Sequence, residues 1–305
     1  MRILVTGSNG LVGSRLASHL SQNKIHSVVG TSLGPQRVQG SYDYRTCDLT
    51  DSPNLFKLIK GVAPEAVIHC ASMTDVNGCE KEPQRAYEVN VTVPASIAQA
   101  SREVGFHLVY VSTDYVFDGL AGPYDEAATP HPKGVYATTK YMGELAVSLL
   151  SPSFAIARTA VVFGWPAAGR LNFGCWLVNL LEKKQPVALF EDQWVSPSFA
   201  DNVALMLAEI AVRKLQGIWN VCGATVIDRF SFGKALCREF GFDDSLLRPG
   251  KMADIQSATP RPSRSGLKID KVLGELTAKP LELSSALAQF HQAYLATSRT
   301  PDAQL

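Results

Sequence analysis

Three things are scarce in this chain of 305 residues: paired metal-type ligands, an excess of either charge, and long apolar runs. The six cysteines (Cys47, Cys70, Cys79, Cys175, Cys222, Cys237) include no C-x-x-C pair, and the six histidines form no H-x-x-x-H. Neither a disulfide framework nor a metal site is therefore signalled, and free thiols in a reducing compartment are expected. Lys and Arg number 29 against 28 Asp and Glu, a formal charge of +1, so no strongly basic face advertises nucleic acid or an anionic membrane. No apolar run approaches the roughly 18 residues of a membrane span. The chain opens with Arg2-Ile3-Leu4-Val5, which reads as a strand and not as a signal peptide. The expected setting is the cytoplasm and the expected partner a small molecule, with room for a homodimer.

What is present is β-α alternation. Ile3 to Val5, His26 to Val29, Ala66 to His69, Leu108 to Val111 and Phe154 to Ala157 are short β-branched or apolar runs. Helical stretches separate them: Leu11 to Leu20, Leu55 to Lys60, and Ala86 to Val104, whose apolar residues recur at helical spacing. This pattern predicts an α/β fold, a doubly wound parallel Rossmann sheet with ligands beyond the strands' C-terminal ends. After Phe163 the rhythm loosens. Gly164-Trp165-Pro166 breaks the chain, 171–184 reads as helix, 192–199 as loop, and Asp201 is placed to cap a helix from Val203 to Lys214. Gly217 to Val221 is apolar enough to rejoin the sheet. Beyond it come a helix after Phe230, a turn-rich stretch from Arg248 to Gly266 and a last helix near Leu283 to Ala296. The expected division is a cofactor domain of 1–163 and 201–223 with a smaller substrate domain of 164–200 and 224–305.

Thr6-Gly7-Ser8-Asn9-Gly10-Leu11-Val12-Gly13 lies between the first strand and the first helix. The spacing G-x-x-G-x-x-G differs from the dinucleotide fingerprint G-x-G-x-x-G, yet its context suits a pyrophosphate held by backbone N–H groups at a helix N-terminus. An NAD-type site places an acid about 20 residues on, to take the ribose. No Asp or Glu precedes Asp43; Val29-Gly30-Thr31-Ser32 stands where the acid belongs, and Arg37 follows, either as a contact for an NADP 2′-phosphate or as a solvated loop residue. NADPH is thus the favoured cofactor. Asp48 and Leu49 stand where they would border the adenine or make an exposed turn.

Tyr136 and Lys140, the single Tyr-x-x-x-Lys of the chain, share one helix face starting near Gly134. A cation beside a phenol favours the phenolate and so the exchange of a proton with a substrate oxygen. Ser112-Thr113-Asp114 follows a strand, where Thr113 can bond the same oxygen or, with Ser112, satisfy a turn.

These strings, with His69-Cys70-Ala71-Ser72, Asn90, Ser112 to Gly119 (S-T-D-Y-V-F-D-G) and Arg158-Thr159, resemble the extended short-chain dehydrogenase/reductases, and S-T-D-Y-V-F-D-G is similar to the dTDP-4-dehydrorhamnose reductases. The likeness extends through Asp192-Gln193, Ser196-Pro197 and Arg261 to Leu267. It implies Thr113, Tyr136 and Lys140 as the catalytic set. It implies Gly7, Gly10 and Gly13 at the pyrophosphate, Ala71 and Ser72 on the nicotinamide side and Asn90 helping to order the site; with Asn9, Leu11, Val12, Thr31, Ser32, Arg37, Asp48, Leu49, Cys70, Tyr136 and Lys140 these make up the expected cofactor site. The substrate it implies is a nucleotide-linked 4-keto deoxysugar. Three departures bear on that substrate: Val161 stands where those reductases carry a Trp, Arg264 replaces the Asn of R-P-x-N-S, and Asp75-Val76-Asn77-Gly78-Cys79-Glu80 replaces an acidic stretch. Trp165 or Trp194 would be either a substitute sugar platform or a packing residue. The chain also resembles the noncatalytic regulatory subunit of methionine adenosyltransferase in V-I-H-C-A and the S-T-D-Y-V-F-D-G region. A nucleotide-sugar epimerase or dehydratase is the third reading; dehydratases carry acids beside the Thr, and Asp114 is present without a following Glu.

Overall fold

β1 (Arg2–Thr6) is buried from Ile3 onward and enters α1 (Leu11–Ser21) through the glycine loop. β2 (Ser27–Ser32), β3 (Asp43–Thr46), α2 (Ser52–Val62) and β4 (Ala66–His69) follow. A helical tract runs through α3 (Val76–Lys81), α4 (Pro83–Tyr87), a π-turn at Glu88–Thr92 and α5 (Val93–Val104) into β5 (His107–Thr113). Then come α6 (Gly134–Leu150), β6 (Phe154–Thr159), β7 (Val162–Phe163), α7 (Phe173–Glu182), β8 (Val187–Phe190), β9 (Trp194–Val195) and β10 (Ser198–Phe199). The chain closes with α8 (Ala200–Val212), β11 (Gly217–Asn220), β12 (Ile227–Asp228), α9 (Arg229–Phe240), β13 (Leu247–Gly250), α10 (Asp270–Glu275) and α11 (Leu283–Ser298). This computed structural model describes residues 1–22, 24–165, 171–254 and 259–298.

Seven parallel strands form the main sheet in the order β11-β6-β5-β4-β1-β2-β3. Strand order reverses between β1 and β4, which opens a crevice at their C-terminal ends, the ligand position of an open α/β sheet. Apolar side chains on both faces bury helices. Leu16, Leu20, Val203 and Leu207 pack α1 and α8 on one face, while Leu55, Ile59, Ile97 and Val147 pack α2, α5 and α6 on the other. At about 1.5–3 kcal/mol per fully buried aliphatic side chain, these two layers fix the sheet. A third cluster joins Phe163, Leu177, Leu189, Phe199, Phe232, Leu287 and Phe290, from segments on either side of α8 and β11.

Four expectations are corrected. Ala86 to Val104 is not one regular helix, because Pro94 lacks the N–H that would bond the carbonyl of Asn90, and a π-turn absorbs the break. The freed Asn90 carbonyl accepts from Tyr110 Oη (3.4 Å). Asp201 does not cap α8. The helix starts at Ala200 after Phe199, and Asp201 in its first turn instead faces Arg15 (3.6 Å). The stretch 192–199 holds β9 and β10, which pair with β12 and β7, and the turn-rich tract begins with β13 alongside β8. Two-residue pairings across long separations leave no period for sequence reading to find. Ser112 and Thr113 are the last residues of β5, not a turn after it.

Candidate functional site

Gly7 has φ of +69°, the left-handed region that a side chain disfavours, and a Cβ there would lie 2.7 Å from the backbone nitrogen of Ala71. A Cβ on Gly13 would lie within 2.3 Å of the Gly7 carbonyl oxygen, so α1 docks against the loop only because this residue has no side chain. The first turn of α1 carries neither an acid nor a side-chain cap, which leaves the backbone donors of Leu11, Val12 and Gly13 without intrahelical partners. Donors at a helix N-terminus beside a cradle no Cβ could share are a fit for a dinucleotide's pyrophosphate.

The neighbouring loop is organised by Asn9. Its Nδ2 donates to the Pro35 carbonyl (2.9 Å) and to Tyr44 Oη (3.1 Å), while its Oδ1 accepts from the Arg37 backbone N–H (2.9 Å). Its own N–H donates to Ser32 Oγ (3.0 Å). Asn9 thus positions the Arg37 segment by its backbone and leaves the Arg37 side chain exposed. Thr31 Oγ1 is buried near the end of β2 and has no hydrogen-bond partner among the described residues. Asp48 accepts from Thr50 N (3.0 Å) and Oγ1 (2.7 Å), bonds that hold its carboxyl below the usual range, and half-buried Leu49 packs on the core.

Across the crevice, β4 ends in His69, with Cys70 next in the chain. His69 Nδ1 shares a hydrogen bond with Thr6 Oγ1 (2.7 Å), its ring stacks on Tyr110 (5.9 Å), and burial pushes its pKa down to about 3, so it is neutral. Burial pushes the Cys70 thiol up to about 12. Ala71 backs Gly7, and Ser72 Oγ donates to Asn90 Oδ1 (2.9 Å). Asn90 Oδ1 also accepts from Met73 N (2.9 Å), and its Nδ2 donates to Met73 O (3.1 Å) and Thr139 Oγ1 (3.2 Å). All four bonds of this amide are made inside the protein, so Asn90 orders the crevice.

Thr113, Tyr136 and Lys140 come together at the end of β5, all buried. Burial raises the Tyr136 phenol above its usual range; a hydrogen bond with Thr113 opposes this, and Asp114 and Tyr115 add to it. Lys140 Nζ donates to the Val111 carbonyl (2.7 Å) and lies over the Tyr110 ring (4.1 Å), while burial pushes its pKa down to about 7. The expectation that Lys140 lowers the phenol's pKa is corrected: burial raises it, and the group that opposes the rise is Thr113 and not Lys140.

Three supports of the site come from the tertiary structure. Glu80 Oε1 accepts from Val135 N (2.7 Å), capping the helix that carries Tyr136 and Lys140, whose own cap position is Lys133. Arg158 and Glu144 form a buried bidentate pair (3.0 and 2.7 Å) tying α6 to β6. Glu80 was visible only as a departure from a family string, because its partner is 55 positions away. Asp114 is the third. It accepts from Thr113 Oγ1 (3.1 Å), Ser265 donates to its other oxygen, and burial pushes its pKa up to about 6.

The departures take distinct places. Val161 follows β6 with φ of +41°, a strained backbone for a β-branched residue, and its carbonyl accepts from Ser198 N (3.2 Å). Trp165 is buried against Phe290 and Tyr294 in the cluster of Phe163 and Leu177, so it is a packing residue. Trp194 is half-exposed and lines a shallow cavity of about 270 Å³ with Gly122, Pro123, Val226, Arg264 and Gly266.

The family described as RmlD substrate binding domain matches residues 1–296. The chain belongs to this family. It is 33% identical to a probable low-salt glycan biosynthesis reductase of Haloferax volcanii, covering 96% of this chain and 98% of that one. A dTDP-4-dehydrorhamnose reductase of Mycobacterium tuberculosis is 32% identical over 87% of this chain and 84% of its own. The β subunit of methionine adenosyltransferase 2 from Xenopus tropicalis is 29% identical over 95% and 88%. Among solved structures, a Bacillus anthracis dTDP-4-dehydrorhamnose reductase in complex with NADP superposes with a TM-score of 0.84 at 26% identity, covering 97% of this chain and 99% of that one. Among the described residues, no helix is long and apolar enough to cross a membrane, and no cluster of metal-type ligands occurs.

Proposed function

We propose that this chain is an NADPH-dependent reductase of a nucleotide-linked 4-keto deoxysugar. The observation that carries the reading is the convergence of Thr113, Tyr136 and Lys140 at the end of β5, beside a glycine cradle that fits a dinucleotide. Residues 1–163 and 201–223 would form the cofactor domain and 164–200 and 224–305 the substrate domain. Gly7, Gly10, Leu11, Val12 and Gly13 would hold the pyrophosphate; Thr31, Ser32 and Arg37 the 2′-phosphate side; Asp48 and Leu49 the adenine; Cys70, Ala71 and Ser72 the nicotinamide side. Bound NADPH supplies the hydride that reduces the keto carbon. Tyr136, protonated at neutral pH as an ordinary phenol is and kept so by its burial, gives the phenolic proton to the oxygen, so that ketone becomes alcohol. Thr113 Oγ1 steadies that oxygen, and Lys140 holds the nicotinamide ribose. Six free cysteines, five of them buried, accord with a cytoplasmic setting, and a homodimer is compatible with it.

The deciding experiment is NADPH oxidation by the purified chain against a panel of nucleotide-linked 4-keto sugars, with turnover of one of them expected. Because Val161 offers no indole, dTDP-4-dehydrorhamnose itself should be a poor substrate, with kcat/KM below about 10⁴ M⁻¹s⁻¹. The second reading, a noncatalytic NADP-binding regulator, draws on the resemblance to the methionine adenosyltransferase β subunit. No turnover with any sugar, alongside a tight complex with a partner protein, would favour it.

A further inference from the structure

Thr113 has one hydroxyl proton, and the fold has already assigned it. Its Oγ1 donates to Asp114 Oδ1 (3.1 Å) and accepts from the Tyr115 N–H (3.2 Å). A hydroxyl offers one donor and two acceptor sites, so with the proton on Asp114 a single lone pair is left for the Tyr136 phenol. A ketone oxygen presents only lone pairs, and in this arrangement Thr113 has no donor to meet it. Asp114, 2% exposed, is held in turn by Ser265, which donates to Oδ2. Ser265 lies in a strap of residues 261–267 that is fastened by its backbone. The Ser265 N–H donates to the Trp194 carbonyl (3.0 Å), the Arg264 N–H to the Gly119 carbonyl (3.0 Å) and the Leu267 N–H to Ser196 Oγ (3.0 Å). A Cβ on Gly119 would lie 2.6 Å from the Ser263 nitrogen, so strap and loop fit with no room to slide. The charged and titratable groups facing Asp114 are Arg229 of α9, Tyr115 in its own turn, Tyr136 of α6 and Cys222 after β11. Burial pushes the Cys222 thiol up to about 12 and raises both phenols, and a guanidinium stays charged. Asp114, pushed up to about 6 by burial, is the member of this set that titrates near neutrality.

We propose that Asp114, held by Ser265, is a positioning residue that keeps the Thr113 proton from the substrate oxygen while its carboxyl is ionised and releases it when the carboxyl is protonated. A proton on Oδ1 turns the hydrogen bond round. Thr113 Oγ1 then accepts from Asp114 and from the Tyr115 N–H, and its own proton is free to reach the ketone oxygen beside the proton given by Tyr136. Ser265 acts on the opposite oxygen: its donor favours the ionised form and so favours the held state. The catalytic threonine is thereby tied to a segment of the substrate domain 151 positions away from Asp114. This inference rests on the reductase reading above.

The test joins steady-state kinetics to carbon-13 NMR of the aspartate carboxyls in the full chain, with Asp114→Asn identifying the Asp114 signal. Parent kcat on the 4-keto sugar that is turned over should fall about tenfold as pH rises through about 6, the low end for losing a hydrogen bond to developing charge, with KM little changed. Asp114→Asn can present an N–H to Thr113 at every pH and should keep the parent's acid-side kcat throughout. Lys140 titrates at about 7, and Asp114 is not among the groups that act on it, so the difference between the two profiles reads Asp114 alone. In the NMR titration, Thr113→Val and Ser265→Ala each remove a donor from the ionised carboxyl, so both should raise the Asp114 midpoint. If Asp114→Asn loses its cooperative melt, Ser265→Ala carries the kinetic arm, its fall in kcat moving to higher pH with the midpoint. A midpoint in Thr113→Val equal to the parent's overturns the hold on the proton. An Asp114→Asn profile that follows the parent at every pH, or a Ser265→Ala profile unmoved, overturns the positioning role and keeps the reductase. A midpoint raised in Thr113→Val, with no sugar turned over, keeps the hold on the proton and overturns the reductase.

Discussion

The chemistry of Tyr136 and Lys140 is set by desolvation more than by their proximity on one helix face. A phenol raised by burial is a proton donor in its resting form, so Tyr136→Phe removes the donor and keeps the ring contact with Tyr115. Turnover should drop by about 10²–10⁴ with NADPH affinity retained; steady-state kinetics and calorimetry check both. Lys140 has a stability signature. Its folded pKa of about 7 lies below the ordinary 10.5, so between those values the unfolded chain holds a proton that the folded chain has released. Burying Lys140 therefore costs most below about pH 7, and the cost fades as pH rises toward 10.5. Lys140→Met should melt higher than the parent at pH 6, and the gap should narrow by pH 10, while its NADPH affinity is weaker.

At the scale of elements, the site depends on how α1 and α6 begin. Gly13→Ala places a methyl 2.3 Å from a carbonyl oxygen, whereas Gly10→Ala places one at 3.1 Å. The first should abolish NADPH binding and lower the urea midpoint; the second should weaken binding mildly, an order that titration of the two variants reads directly. Glu80→Ala removes the acceptor of Val135 N–H and should destabilise the fold by about 1 kcal/mol, as loss of a helix cap does, with a smaller fall in kcat than Tyr136→Phe. The helices themselves were legible because Leu16, Ile97 and Val147 recur with helical neighbours on one face. The π-turn was not legible, since it depends on Pro94 leaving the Asn90 carbonyl for Tyr110 and on Gly143 admitting that approach.

Across the whole molecule, the segment that carries the glycine loop and β2 is the one stretch of this length at the N-terminal end without an acid of its own. The first 42 residues carry four cations (Arg2, Arg15, Lys24, Arg37) and no acid, and Asn9 holds the Arg37 segment beside the glycine loop. NADPH should bind more tightly than NADH, and Arg37→Ala should narrow the difference; equal affinities for the two cofactors in the parent would refute the charge argument.

What the sequence determined by itself is whatever local pattern encodes. The alternation of buried runs and amphipathic helices specified the parallel sheet, the glycine spacing placed the cradle between a strand and a helix, and Tyr136 and Lys140 were bound to share a face because helical geometry puts i and i+4 together. The tertiary structure decided everything that joins distant positions. Ser265 reaches Asp114 across 151 positions, Glu80 caps a helix 55 positions on, and Arg229 meets Gln193 and Phe173. Trp165 became a core residue because Phe290 and Tyr294 fold over it. The physical reason is common to all of these: hydrogen bonding and desolvation depend on which groups surround an atom, and for these side chains the surroundings come from elements with no periodic relation in the chain.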